Sequence, residues 1–397
     1  MKIIVYDNSG HPFQVQLSRA LAKNGYDVLH LYSASFQTPK GSLTKLKGDP
    51  DSFSIKGLLL PSKFEKYSFV KRWKQENDFG KLVINEIKNF EPDILVASNV
   101  PLDTLKHVQS FCAKKRIKLI FWVQDFYGIA IKNILQKKLS VLGSFIGNYY
   151  KRLEARLLNK SDHIVLITVH FIDVLKQMKV NNKKFTVIPN WAPLDELSVV
   201  EKKNKWSVLN KLDDKFCFMY TGTLGLKHRP ELLIKLAEHF RDNENVRVVV
   251  ISEGLGAEWL TKKKYEHSLN NLLIMNFQPF ELLSYVMGSA DVLVSILEKE
   301  AGIYSVPSKI LSYMCAARPL LLSVPTENLA SMMVKESDCG FIADPDNENE
   351  FIEAAKKLYH DSQMRNIKGK NARIHADKYF EINSITNKFI DILEKTL

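Results

Sequence analysis

The sequence predicts an α/β protein built as two doubly wound parallel sheets that face a central cleft. Three observations lead there. Short apolar runs alternate with helical periods from the first residues onward. The alternation pauses near residue 190 and restarts past residue 205. Beyond residue 350 the chain carries helical periods only. Apolar runs too short to be helices, separated by helix-length amphipathic stretches, are the signature of parallel strands with crossover helices.

In the first half, strands are expected at Ile3–Tyr6, Val28–Tyr32, Ile94–Ser98, Leu119–Val123, His163–Ile167 and Phe185–Ile188. Helical stretches lie between them, for example Val15–Asn24, Leu102–Lys114 and Ile146–Leu158. Pro189-Asn190-Trp191-Ala192-Pro193, followed by the charged run Glu201–Lys205, reads as a linker. The second set of strands is expected at Phe216–Thr221, Val246–Ile251, Leu272–Met275, Val292–Ile296, Leu320–Ser323 and Gly340–Ile342. Helices are expected at Glu231–Phe240, Glu258–Lys264, Glu281–Met287, Lys309–Ala316 and Leu329–Lys335, then at Glu350–Tyr359, Met364–Tyr379 and Ile385–Lys395.

A chain of 397 residues is long enough for two such cores. Its four cysteines, Cys112, Cys217, Cys315 and Cys339, are far apart and form no C-x-x-C pair. That argues against a zinc site or a disulfide scaffold and fits a reducing cytosol. Met1-Lys2 runs straight into an apolar strand, so no signal peptide is expected, and no uncharged apolar run is long enough to span a bilayer. The net charge of +12 is unevenly placed. Residues 1–190 hold 30 Lys and Arg against 15 Asp and Glu, whereas residues 191–397 hold 26 against 29. The first half therefore favours an anionic partner.

Ligands of doubly wound folds gather at the carboxyl ends of strands, and four such junctions in the second half suit one nucleotide. Ser305 through Pro319 opens a helix with proline in its first turn, the hydroxyls of Ser305 and Ser308, and the cation Lys309. A helix start already attracts anions through its free N–H groups. The same residues would also make a plain capped helix. Tyr220 through Pro230 is a glycine-bearing turn in which Gly222 and Thr223 precede Lys227 and Arg229. Glycine lets backbone approach phosphate oxygens and the cations neutralise them. Ser252-Glu253-Gly254-Leu255-Gly256 suggests another close approach, by a ligand or by a packed helix. In Asn276-Phe277-Gln278-Pro279, Phe277 suits either a nucleobase or the core.

These four stations resemble the carboxyl-terminal domain of GT-B-fold glycosyltransferases of the family 4 type. YTGTLGLKHRPELL, SEGLGAEWL, NFQP, ADVLVSIL and VPSKILSYMCAARP stand in that family's order and spacing. The resemblance extends to Trp122-Val123-Gln124-Asp125, Asp162-His163-Ile164-Val165 and Ile188-Pro189-Asn190-Trp191 in the first half. In style the chain is most similar to bacterial O-antigen and capsule L-fucosaminyltransferases. The resemblance implies a GT-B enzyme that takes a UDP-sugar, held mainly by residues 206–376. It implies an acceptor domain over residues 1–190, a linker over 191–205 and a terminal segment, 377–397, that crosses back to the first domain. It also implies no cofactor and no bound metal, with Val306, Ser308 and Ser312 among the donor contacts. One departure matters. Many members carry two glutamates eight residues apart, and here those places are Tyr304 and Ser312. Glu298 or Glu300, just upstream, would approach the donor sugar instead, unless both are solvated loop charges.

The first strand leads into Asp7-Asn8-Ser9-Gly10-His11, a polar loop on the ligand-binding rim. Ser9 and Gly10 suit a sugar, and His11 suits a sugar hydroxyl or a phosphate, or a structural role. Asp7 suits a turn cap. Asn99 lies on the same rim after another strand. Asp125, at the end of Leu119–Val123, is a candidate base or hydroxyl binder, or another turn-former.

Lys132–Lys160 and Pro61–Lys74 interleave cations with apolar groups. The first includes Lys137, Lys138, Lys151 and Arg152 around Val141, Leu142, Phe145 and Tyr149. Such a surface favours an anionic membrane headgroup region, the alternative being ordinary helices with solvated charges. This surface is expected to dock on a membrane, and the resemblance implies the cytoplasmic face of a bacterial membrane and a lipid-diphosphate-linked sugar as acceptor.

Sugar transfer requires a stabilised leaving diphosphate, which Lys227, Arg229, Lys309 and the helix starts would supply. Asp49-Pro50-Asp51 and Asp344-Pro345-Asp346 match D-x-D, yet each has a central proline and reads as a turn. The resemblance points to retention of configuration; an inverting course would need a base, Asp125 or His11. A UDP-sugar epimerase of the same architecture is the alternative activity. No nucleic-acid motif appears, and the first strand lacks the G-x-G-x-x-G of a dinucleotide fold.

Overall fold

The computed structural model describes residues 1–35, 40–62, 64–65, 68–181, 184–225, 228–299 and 308–397, with backbone alone for 137–140. Two compact units form, Met1–Pro189 with Ile382–Leu397, and Asn190–Glu381.

The first unit begins with β1 (Lys2–Asp7), α1 (Pro12–Lys23), β2 (Asp27–Ser33), β3 (Phe53–Leu58) and α2 (Phe69–Phe90). It continues with β4 (Ile94–Ser98), α3 (Leu102–Lys115), β5 (Lys118–Val123), α4 (Tyr127–Lys160), β6 (His163–Leu166), α5 (His170–Gln177) and β7 (Phe185–Val187). The strands are parallel in the order β3-β2-β1-β4-β5-β6-β7. Ile3, Ile4, Val5 and Tyr6 of β1 are wholly buried. A strand covered by helices on both faces has no polar side, which explains its continuous apolar run.

β3 is the strand that apolar runs did not reveal. It lies at the sheet edge, and Ser54, Lys56 and Gly57 leave it half polar. Gly57 leaves room there for the Tyr32 ring on β2, whose outer edge would lie 2.7 Å from a Cβ. α4 is longer than the expected Ile146–Leu158 and doubles back on itself. Its Gly128 N–H donates to Glu154 Oε2 at 3.0 Å, and a Cβ on Gly147 would lie 2.6 Å from Lys132 Cα. A straight helix would hold Gly128 and Glu154 about 39 Å apart, so two antiparallel arms meet.

The second unit comprises α6 (Lys205–Leu209), β8 (Phe216–Thr221), α7 (Glu231–His239), β9 (Val246–Ile251), α8 (Leu255–Glu266), β10 (Leu272–Met275) and α9 (Leu283–Gly288). It continues through β11 (Val292–Ile296), α10 (Lys309–Cys315), β12 (Leu320–Ser323), α11 (Leu329–Ser337), β13 (Gly340–Ala343), α12 (Glu348–His360) and α13 (Ser362–Tyr379). Its strands are parallel in the order β10-β9-β8-β11-β12-β13.

The stretch 191–205 is packed rather than free. Trp191, Ala192 and Leu197 are buried. Arg318 Nη2 donates to the Val200 carbonyl at 3.0 Å, and Asn204 caps α6 while donating to the Tyr285 carbonyl at 3.1 Å. The final helix, α14 (Ile382–Thr396), belongs to the first unit. Phe389 packs edge-on to Trp122 with centroids 4.8 Å apart, and Tyr26 donates to Glu394 at 3.0 Å. Residues 377–379 still belong to α13.

Candidate functional sites

Strand order reverses between β8 and β11 in the second unit and between β1 and β4 in the first. In such sheets the helices on either side of that point diverge, leaving a crevice at the carboxyl ends of the strands.

In the second unit, the backbone of Gly222 follows β8 with φ +113°. A Cβ there would lie 3.3 Å from Lys309 Cε and 3.5 Å from its Nζ, so the turn and the first residue of α10 are in contact. The Lys309 ammonium stands 3.6 Å from the centroid of the Tyr220 ring. It is fully buried and has no hydrogen-bond partner among the described residues. Burial holds its pKa well below the usual lysine value. A buried cation against an aromatic ring is costly unless an anion joins it.

Two tyrosines to which no motif gives a role fix this corner. The Tyr220 hydroxyl donates to the Thr223 carbonyl at 2.8 Å, shaping the turn. Tyr313, on α10, accepts from Thr221 N at 2.8 Å and lies 3.2 Å from the Val294 carbonyl, joining α10 to β8 and β11. Their only sequence signal was an aromatic residue in an apolar run.

The neighbouring loops interlock. Gly256 N donates to the Leu224 carbonyl at 3.0 Å, and a Cβ on Gly256 would sit 2.3 Å from that oxygen. The packed-helix alternative therefore describes Gly256. Gly254, in contrast, is exposed with φ +98° and open space beside it. Glu253 accepts from Phe277 N at 3.2 Å, joining the β9 and β10 loops. Phe277 is half-buried. Gln278 accepts from Trp206 Nε1 at 3.0 Å. Thr223 and Ser308 are exposed, and Ser312 is half-buried one turn further along α10. Arg229 has φ +51° and stands 3.9 Å from Asp346, which also pairs with Lys299 at 2.8 Å. Glu298 is half-buried just beyond β11. Asp344 accepts from Asp346 N at 2.8 Å, so this D-x-D is a turn. Lys227, Glu300 and Val306 lie outside the described residues.

In the first unit, the buried Asp7 carboxylate gathers the β1–α1 loop. Ser9 N donates to it at 2.9 Å, His11 N donates to the other oxygen, and Asn99 Nδ2 donates from the β4–α3 loop at 3.3 Å. Burial raises the Asp7 pKa, while the His11 charge and these N–H groups act against that rise. Ser9 and His11 are half-buried, with His11 stacked on Phe13 at 5.7 Å. Gly10 has φ +74°, and the space beside its Cα is filled by Leu43 at 3.0 Å.

Asp125, half-buried, follows β5 near Glu154. Glu154 is wholly buried and caps the start of α4 from the returning arm. Burial, with the Asp125 charge adding to it, pushes its carboxyl up to about 8 against the opposing N–H groups of Gly128 and Tyr127.

The turn of the α4 hairpin leaves Phe145 77% and Val141 74% exposed, with Leu142 next to Val141 and Ile134 on the outgoing arm also exposed. Phe145, Asn148, Tyr149, Arg152, Ala155 and Arg156 line a cavity of about 700 Å³. Phe69, at the start of α2, lies 6.4 Å from Tyr150, and Val70 and Trp73 are exposed. Among the described residues no helix is long and apolar enough to cross a membrane.

Comparison with known proteins covers both units. Residues 13–196 match the Glycosyltransferase Family 4 model and residues 201–375 match the model for Glycosyl transferases group 1. A putative colanic acid biosynthesis glycosyl transferase, WcaI of Escherichia coli K12, is 22% identical over 160 residues, 40% of this chain. That alignment spans 39% of the relative's length. Among solved structures, sucrose-phosphate synthase from Thermosynechococcus elongatus superposes with a TM-score of 0.76 at 13% identity, covering 100% of this chain and 98% of the other. Anabaena HepE in complex with UDP-glucose gives 0.74 at 15% identity, covering 100% of both chains. WaaG, a glycosyltransferase involved in lipopolysaccharide biosynthesis, gives 0.69 at 16% identity, covering 98% of this chain and 99% of that one.

Proposed function

The chain is a glycosyltransferase of the GT-B type, group 1 and family 4, and from that premise we propose that it moves a sugar from a UDP-sugar to a lipid-diphosphate-linked sugar during assembly of a bacterial surface polysaccharide, O-antigen or capsule. The donor sugar we infer is N-acetyl-L-fucosamine or a similar deoxy-amino sugar, on the resemblance of the second-half motifs.

One observation carries the donor assignment: the buried Lys309 ammonium, unpartnered among the described residues, against Gly222 at the strand-order reversal. A diphosphate supplies the anion that this corner lacks. The HepE complexes with UDP and UDP-glucose support a uridine nucleotide. WcaI and WaaG support a role in polysaccharide or lipopolysaccharide assembly. The excess of positive charge in residues 1–190 and the exposed hairpin turn support docking at the cytoplasmic face of the membrane.

In the reaction we propose, the bond between the anomeric carbon and the diphosphate oxygen breaks, and the bond to the acceptor oxygen forms on the same face. The acceptor proton passes to the departing phosphate oxygen. Lys309, with Lys227 and Arg229, stabilises the charge that develops on the diphosphate. An inverting course would assign the proton to Asp125 or His11 instead. Ser9, His11 and Asn99 are assigned to the acceptor, and Thr223, Glu253, Gly254, Phe277, Gln278 and Glu298 to the donor.

A thermal-shift series with UDP, GDP and dTDP tests the donor class. A rise in Tm with UDP and little with the others is expected, because a ligand that prefers the folded state stabilises it. No rise with UDP overturns the assignment. Lys309→Ala should reduce transfer roughly 10² to 10³-fold with the fold intact. Wild-type activity in that variant would remove Lys309 from the mechanism.

A further inference from the structure

Asp7 is wholly buried, and three N–H donors from two different loops converge on its two oxygens. Ser9 N reaches Oδ1 at 2.9 Å and His11 N reaches Oδ2. Asn99 Nδ2 reaches Oδ1 at 3.3 Å from beyond β4. Gln14, on α1, adds a fourth donor once its amide is turned so that the oxygen accepts from the Ser98 hydroxyl: the nitrogen then lies 2.8 Å from Oδ1 and 2.6 Å from Oδ2. A carboxylate accepts hydrogen bonds only, with about four lone-pair sites, which matches this donor set. Neutral asparagine would turn an NH₂ group onto donors.

The loops so joined flank the strand-order reversal, and both need conformations that ordinary residues avoid. Asn99 has φ +53° and Gly10 has φ +74°. Asn8 N also donates to the Ser98 carbonyl at 3.3 Å, a second tie between the same loops. Without Asp7 the β1–α1 loop keeps its chain connections and loses the group that orients its N–H groups inward.

We propose that Asp7 is a positioning residue for the acceptor: its carboxylate ties the β1–α1 loop to the β4–α3 loop, so that the Ser9 and His11 side chains are presented in one fixed geometry. This rests on the reading that these loops receive the acceptor. Asp7 itself is buried beneath them and touches no substrate.

The test pairs kinetics with hydrogen exchange on the full chain. The substrates are UDP-N-acetyl-L-fucosamine and a short-chain prenyl-diphosphate-linked N-acetylglucosamine. In Asp7→Asn, the acceptor KM is expected to rise at least tenfold, while kcat and the UDP-sugar KM stay within twofold of wild type. Amide exchange at residues 8–12 and 98–101 should quicken at least tenfold, with the rest of the chain unchanged. Asn99→Ala should quicken exchange in the same two loops. The double variant should exchange no faster there than Asp7→Asn alone, because both remove one shared network.

Unchanged exchange in the two loops overturns the proposal, whichever acceptor the enzyme uses. Faster exchange with a wild-type acceptor KM overturns it too, as does an equal loss for donor and acceptor. A wild-type enzyme that transfers nothing to this acceptor defeats the acceptor reading instead, and the exchange result still decides whether Asp7 holds the loops.

Discussion

The Lys309 ammonium faces the Tyr220 ring at 3.6 Å and nothing else that accepts a hydrogen bond among the described residues. Its burial depresses the lysine pKa. The unfolded chain therefore binds this proton over a range of pH in which the folded protein has released it. Stability contributed at this position rises with pH toward 10.5, the ordinary lysine value. Lys309→Met removes the buried amine and keeps the stem. We expect its Tm without nucleotide to equal or exceed that of wild type, most clearly at low pH, and its UDP-induced shift to vanish. Calorimetry in buffers of different ionisation enthalpy should show wild type taking up a proton on binding UDP at alkaline pH, and Lys309→Met taking up none. A variant that keeps the full UDP shift would place the diphosphate elsewhere.

Glu154 gives a second pH signature, of opposite sign. Its carboxyl is raised to about 8, so the folded protein holds a proton that the unfolded chain releases near 4.5. Stability from this group is full at low pH and is lost as pH rises through 8. Between pH 6 and 9 the loss is about 2 to 3 kcal/mol. Glu154→Gln stays neutral and can still accept from Gly128 N. Its Tm should fall less than that of wild type over this interval. Parallel pH profiles would show that Glu154 is ionised throughout.

Tying of the last helix to the first unit gives a third expectation. Phe389 is wholly buried and meets Trp122 edge-on at 4.8 Å. Phe389→Ala leaves a cavity beneath α14 and should cost about 3 to 5 kcal/mol. The loss should appear as a lower unfolding midpoint followed by tryptophan fluorescence. An unchanged midpoint would mean that α14 contributes no packing to the first unit.

Most of the two sheets was legible because their strands are covered on both faces. Ile94–Ala97 and Leu320–Leu322 are apolar throughout and wholly buried, and such runs announce themselves. Phe53–Leu58 did not, because an edge strand keeps solvent on one side and Gly57 there answers to the Tyr32 ring across the pair. The α4 hairpin was half legible. Its returning arm has a clear helical period, but its reversal depends on contacts such as Gly147 against Lys132 that no local pattern encodes. At the sites, residue types at strand ends pointed to Gly222, Lys309 and the Asp7 loop. The sequence carried no sign that Lys309 would be buried against Tyr220, or that Asp7 would collect donors from Asn99, because both depend on which strands become neighbours.

The α4 turn separates membrane docking from ordinary helix packing. Phe145 and Val141 are more than two-thirds exposed, so neither supports the core, and Arg152 and Arg156 stand on the same returning arm. If this turn enters the headgroup region, each buried apolar side chain contributes about 1.5 to 3 kcal/mol. The double variant Val141→Ser with Phe145→Ser should therefore bind vesicles of phosphatidylglycerol and phosphatidylethanolamine at least tenfold more weakly in co-sedimentation, with Tm and UDP-induced shift unchanged. Raising salt should weaken the remaining binding further, since the cations act through a screened field. Equal vesicle binding by wild type and variant would leave the turn an exposed helix end, and the positive charge of the first half would need another partner.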